Sequence, residues 1–186
     1  MWYSNHIDTV SFLIKEVARL PSETLVKLKP TKKAAIETAL LTEFSRYPVA
    51  EAQVARIVKD AGISRGAFYN YFADLIDAYR YIYQVAMRDI HQSLHVPAAR
   101  GPALVTTVRD FVENAHSSKY YELLQMHFRH NEAYVAHWIA PVHPGGERQW
   151  AQQTLVHDTL RGAIVEPETA EARLAQLTKI LKILEE

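Results

Sequence analysis

Glu113 with His116, and His127 with His130, stand at i, i+3 spacing. On a helix that spacing puts two ligating side chains one turn apart on one face, as in metal sites of helical bundles. A di-iron bundle needs two Glu-x-x-His motifs and two further inward glutamates, whereas only one such motif is present. Zinc or nickel on these residues stays open as the alternative they allow. The absence of cysteine removes disulfides, thiolate metal sites and thiol nucleophiles. There is no Gly-rich phosphate loop, no nucleophile elbow and no His-Glu-x-x-His. The chain therefore reads as a non-enzyme, with no cofactor expected.

Two other groups of residues could bind. Residues 111 to 138 are rich in Phe111, His116, Tyr120, Tyr121, Met126, His127, Phe128, His130, Tyr134 and Trp138. Such side chains could wall a pocket for a flat or apolar small molecule, with Tyr and His as its few polar groups. Ordinary core packing is the competing use. Upstream, a short amphipathic helix with Val54, Ile57 and Val58 inward is followed by Ala61-Gly62-Ile63 and then by Ser64 and Arg65-Gly66-Ala67-Phe68-Tyr69-Asn70-Tyr71-Phe72. Gly62 permits the positive φ of a tight turn, Ile63 anchors it, and Ser64 caps the next helix. That is a helix-turn-helix, sized for the major groove of DNA.

The elements that must position these groups are helical throughout. Apolar periodicity predicts helices over 7–19, 32–47, 53–60, 64–71, 75–95, 103–116, 119–130, 132–139, 147–163 and 168–184, broken at prolines and glycines. In the second of these, Ile36, Leu40, Leu41 and Phe44 form the apolar stripe, with Lys32, Lys33, Glu37 and Glu43 on the other face. Asp74 is placed to cap the helix at 75 with Asp77 at its third position, and Glu166 before Pro167 suits a helix start. The expected class is all-α. No apolar run reaches the roughly 20 residues that span a bilayer, and no leader is recognisable, so a cytoplasmic location is expected.

With 21 Lys and Arg against 21 Asp and Glu the chain is neutral overall. The distribution is uneven: residues 27–75 hold 8 basic against 5 acidic side chains, and the segments on either side have an acidic excess. A modest positive excess thus coincides with the helix-turn-helix, which fits weak, salt-sensitive attraction to a polyanion.

Residues 28–79, above all Ile57-Val58-Lys59-Asp60-Ala61-Gly62-Ile63-Ser64-Arg65-Gly66-Ala67-Phe68-Tyr69-Asn70-Tyr71-Phe72, resemble the amino-terminal domain of the TetR family of transcriptional regulators. The resemblance implies an N-terminal three-helix helix-turn-helix domain at 28–75 and a C-terminal helical ligand-binding and dimerisation domain at 76–186, after an N-terminal extension at 1–27. It implies that Arg65, Gly66 and Ala67 line the groove face, with Arg65 able to pair with a guanine. Ser64 and Tyr69 would hold phosphates, and Asn70 and Tyr71 would add base or phosphate contacts. Phe68 and Phe72 would be core.

Three positions depart from the family pattern. Ala52-Gln53-Val54 stands where Ser or Thr usually grips phosphate, leaving Gln53 to substitute; Leu75 replaces a Lys; and Tyr47-Pro48-Val49 replaces a glycine. Fewer phosphate contacts are expected, which leaves room for a co-regulator that acts mainly through protein contacts. In the extension, Val10, Leu13, Ile14, Val17 and Leu20 form a helical stripe behind Trp2 and Tyr3, and packing on the domain is favoured over an arm that reaches DNA or a partner.

Leu174, Leu177, Leu181 and Leu184 follow a/d spacing, widened by Ile180 and Ile183, with Trp150, Leu155 and Leu160 available to pack opposite. Core packing within one chain would use them equally well, but the resemblance implies that the last two helices pair between subunits. The expected partners are a double-stranded, near-palindromic DNA operator, a second copy of the chain and a small-molecule effector that releases a repressor, bound by Phe111, His116, Tyr120, Tyr121, His127, Tyr134 and Trp138; no membrane is expected.

Overall fold

The computed structural model describes residues 23–92, 102–135 and 146–185, and every regular element among them is helical. In chain order these are α1 (Glu23–Val26), α2 (Pro30–Arg46), α3 (Val54–Asp60), α4 (Arg65–Tyr71), α5 (Leu75–Gln92), α6 (Pro102–Ser117), α7 (Tyr121–Met126), α8 (Glu132–Val135), α9 (Gly146–Val165) and α10 (Ala170–Glu185). Short 3-10 turns occupy Val49–Glu51 and Pro167–Thr169, and a π-helical turn, His127–Asn131, joins α7 to α8. The expected all-α class is what the structure has. The helix expected at 7–19, with Trp2 and Tyr3, lies outside the described residues, as does Trp138. No helix among the described residues is long and apolar enough to cross a membrane.

The described residues divide into two compact units, one of residues 23–88 and 119–135, the other of 89–92, 102–118 and 146–185. The first is built on α2, which begins at Pro30, where a missing N–H costs nothing, and stops at Arg46 ahead of Pro48. Ile36, Leu40 and Phe44 are fully buried, and α2 packs against α3 and α7. Phe44 meets Tyr79 edge to face at 5.2 Å, and Phe72 meets Tyr81 at 5.6 Å, so aromatic pairs seat the first part of α5 in this core. Leu25 of α1 is fully buried, and α1 touches α4.

Glu43, expected on the polar face of α2, is only 4 % exposed. It stands seven residues from Ile36 and three from Leu40, within the same apolar stripe, and a partner supplied by α3 keeps it there.

At the head of α5 the Asp77 amide donates to Asp74 Oδ1 at 2.7 Å, and the Asp77 carboxylate accepts from the Ala73 amide at 2.9 Å. The expected cap is thus present, with the return bond made to the residue before the cap. Glu166 does not cap. Its carboxylate pairs with Arg173 at 2.7 Å, Pro167 opens a 3-10 turn, and α10 begins only at Ala170.

In the second unit α6, α9 and α10 pack on one another. Leu160, Leu174, Leu177 and Leu181 are 6, 2, 2 and 2 % exposed within the single chain, together with Val108, Val156 and Ile164. The leucine stripe expected at a subunit interface is therefore spent on the internal core, because two other helices of the same unit cover it. Arg109 and Glu171 form an ion pair between α6 and α10, which holds the Glu171 carboxyl below its ordinary range.

Candidate nucleic-acid interface

The turn between α3 and α4 is set by backbone chemistry. Gly62 takes φ +63°, and a Cβ added there would meet nothing within 4 Å, so conformation alone calls for glycine. The Gly62 amide donates to the Lys59 carbonyl at 3.3 Å and the Ile63 amide to the Val58 carbonyl at 3.0 Å. This paired pattern is the Schellman motif, and it satisfies the last carbonyls of α3 while reversing the chain. Ile63, expected as an anchor, is half-buried.

Ser64 then opens α4. Its backbone is extended (φ −77°, ψ 157°), and its hydroxyl accepts from the Ala67 amide at 3.1 Å. The hydroxyl proton remains to be donated, which suits an anionic oxygen at the helix start. On the helix itself Phe68 is fully buried, with rings 5.3 Å from both Tyr69 and Phe72. The opposite face carries Arg65, Gly66 and Asn70 exposed, Tyr69 at 48 % exposure, and Ala67 half-buried. Arg65 Nη2 lies 3.4 Å from the Tyr69 hydroxyl, a long hydrogen bond, with the guanidinium carbon 5.8 Å from the Tyr69 ring centre. One turn apart, these two side chains present a cation and a phenol together to solvent.

Tyr71 is 7 % exposed and packs with Phe72, so it belongs to the core and not to the outward face. Its position, three residues beyond Phe68, gives that away on a helical wheel.

At the start of α3, Gln53 occupies the cap position with its side chain exposed and making no cap bond. Its backbone amide donates to Glu43 Oε1 at 2.7 Å. Glu43 also accepts from Arg56, whose Nε and Nη2 reach its two oxygens at 2.6–3.0 Å. Arg56 Nη2 further donates to the Glu51 carbonyl, and the guanidinium stacks 3.9 Å over the Tyr47 ring. An internal carboxylate thus occupies the helix end at which the sequence resemblance leads one to expect a phosphate contact. Sequence reasoning missed this assembly, although Glu43 on the apolar stripe of α2 was its visible trace.

The residues expected to form an effector pocket are not gathered in one unit. Phe111 (8 % exposed, 5.3 Å from the His91 ring) and exposed His116 belong to the second unit. Tyr120, Tyr121, His127 and Tyr134 belong to the first, with Tyr120 and His127 buried and the other two half-buried. His127 Nδ1 lies 2.8 Å from the Tyr79 hydroxyl, and its ring stacks on Tyr83 at 4.3 Å. Burial pushes the Tyr79 and Tyr83 hydroxyls well above the ordinary phenol range. Both hydroxyls therefore keep their protons, and the Tyr79 hydroxyl and His127 Nδ1 share one hydrogen bond whose direction follows the tautomer of the ring. His130, the other half of that pair, is exposed, and among the described residues no three His, Asp or Glu side chains converge as metal ligands.

Comparison with known proteins agrees with this geometry. Residues 36–74 match the family of bacterial regulatory proteins, tetR family. A crystal structure of a TetR family transcriptional regulator from Chloroflexus aurantiacus J-10-FL is similar over 89 % of this chain and 97 % of its own, with a TM-score of 0.54 at 18 % identity. No curated protein matches. Residues 36–74 thus match the tetR-family helix-turn-helix domain, and the all-helical fold around them is similar to that of a solved regulator of that family.

Proposed function

We propose that the chain is a transcriptional regulator that binds a near-palindromic operator as a homodimer and is released from it by a small-molecule effector, as a repressor is. The observation that carries this reading is the split of α4: Arg65, Gly66, Tyr69 and Asn70 outward, Phe68, Tyr71 and Phe72 inward. Arg65 is the long donor able to take guanine O6 and N7 together, and Ser64 and Tyr69 would hold flanking phosphates. Gln53 has an exposed side chain for a further contact.

Dimerisation is supported by what α9 and α10 leave uncovered. Trp150 is 57 % and Ile183 68 % exposed, while Leu155 and Leu184 are half-buried. Two copies joined there would present two α4 helices to half-sites roughly 34–36 Å apart. For the effector, a preference for one spacing of the two α4 helices over the other supplies the energy of release. Half-buried Tyr121 and Tyr134 are polar side chains of the aromatic group with surface to offer it.

A second reading, a co-regulator with weak DNA affinity that works through protein contacts, is favoured by one observation: the α3 amide and Arg56 are already engaged by Glu43. An electrophoretic shift at low salt, using a duplex from beside the chain's own gene, separates the two. A retarded band weakened by Arg65→Ala supports the operator-binding reading; no band at any concentration supports the co-regulator.

A further inference from the structure

The amide of Val49 poses a problem that the turn cannot solve by itself. Val49 opens a 3-10 turn, so its N–H has no acceptor within the turn, and at 6 % exposure it is shut off from water. The acceptor comes from 82 residues away: Asn131 Oδ1 lies 2.9 Å from Val49 N. Only the amide oxygen can take that N–H, which fixes the orientation of the Asn131 side chain. Asn131 is fully buried, and its side chain also neighbours the Tyr79 hydroxyl. Losing that oxygen would leave the buried Val49 amide unpartnered, which is costly, so this bond holds the turn in place.

Asn131 ends the π-helical turn His127–Asn131. Such turns disturb the regular ladder and mark places where a helix is bent to a task. At the other end of the turn His127 meets the Tyr79 hydroxyl, and three residues beyond Asn131 the Tyr134 carbonyl accepts from Arg80 Nε at 2.8 Å. Val49 opens the turn that leads into α3; Tyr79 and Arg80 lie in the first half of α5, the helix that follows α4. One eight-residue stretch, 127–134, therefore grips the helix-turn-helix at both of its ends by polar contacts.

We propose that residues 127–134 clamp the α3–α4 pair in its DNA-reading position and that Asn131, through the Val49 amide, is the positioning residue of the clamp. Asn131 touches no DNA; it sets where α3 begins and so how α4 is presented. The consequence for DNA rests on the operator-binding reading above, whereas the clamp itself does not.

The test pairs amide hydrogen exchange by NMR with binding to the duplex from beside the chain's own gene. In Asn131→Ala, exchange at Val49 and the following turn accelerates at least tenfold while Leu40 in α2 keeps its protection. Duplex affinity falls about tenfold with the salt slope of the parent, because no phosphate contact is lost. Asn131→Asp, which keeps an acceptor oxygen, restores both, and Arg80→Ala, a milder change should Asn131→Ala not fold, weakens binding in the same way. Exchange that stays slow at Val49, exchange that rises uniformly across the unit, or local release with unchanged duplex affinity overturns the clamp. Should the parent bind no duplex, the operator-binding reading fails, and the exchange pattern alone decides the clamp.

Discussion

Arg56 reaches across from α3 to hold the buried Glu43 carboxylate through both Nε and Nη2. This pair, with the Gln53 amide on the same carboxylate, ties α2 to the start of α3 and so fixes the base on which the reading helix stands.

Glu43→Ala should cost about 1–3 kcal/mol in urea unfolding, because the bonds to Arg56 and Gln53 vanish while both partners can regain water. The same substitution leaves the α3 end and Arg56 available to phosphate. The slope of log affinity against log salt should steepen by about one where duplex binding is retained. A slope unchanged from the parent shows that this end of α3 does not face DNA.

Gly62→Ala should lose about 1–2 kcal/mol, the cost of a side chain in the left-handed region, since no steric clash adds to it. Gly62→Asn should recover most of the loss, because asparagine tolerates that conformation. Chemical denaturation of both variants provides the comparison. An alanine variant as stable as the parent contradicts the positive φ of the turn.

Burial holds the hydroxyls of Tyr79, Tyr81 and Tyr83 above the ordinary phenol range, with the Glu37 carboxylate adding to the effect at Tyr81. Each such group binds more protons folded than unfolded above about pH 10, the unfolded value. Stability from these groups is intact below that pH and declines as pH rises beyond it. Followed by phenolate absorbance, these three should ionise only together with alkaline unfolding, and Tyr79→Phe should remove one of the late ionisations. Smooth titration of every tyrosine near pH 10 in the folded protein contradicts their burial.

If Trp150 and Ile183 form the subunit contact, Trp150→Glu with Ile183→Glu should yield a folded monomer in sedimentation equilibrium. Leu177→Ala should instead cost about 2–5 kcal/mol of unfolding free energy, as expected for a truncated core leucine. A doubly charged variant that keeps the parent's mass in solution sinks this placement of the interface.

What was legible in the sequence is what short stretches of chain decide for themselves. Gly62 makes the turn, Ser64 and Asp74 cap the helices that follow them, and Phe68 and Phe72 share the buried face by helical spacing alone. What was not legible depends on partners distant in the chain. Leu174, Leu177 and Leu181 have the spacing of an intersubunit seam, and only the packing of α6 and α9 shows that one chain covers them. Glu43 looked solvated because its partner, Arg56, lies on another helix. Asn131 gave no sign at all, since its partner is a backbone amide 82 residues away.

The most direct test is fluorescence anisotropy of a labelled duplex series, each member changed at one base pair, titrated with the parent and with Arg65→Ala at fixed salt. The account requires Arg65→Ala to bind the preferred duplex about 10–100-fold more weakly and to lose discrimination at one base pair of each half-site. A folded Arg65→Ala protein that keeps both the affinity and the sequence preference of the parent contradicts it.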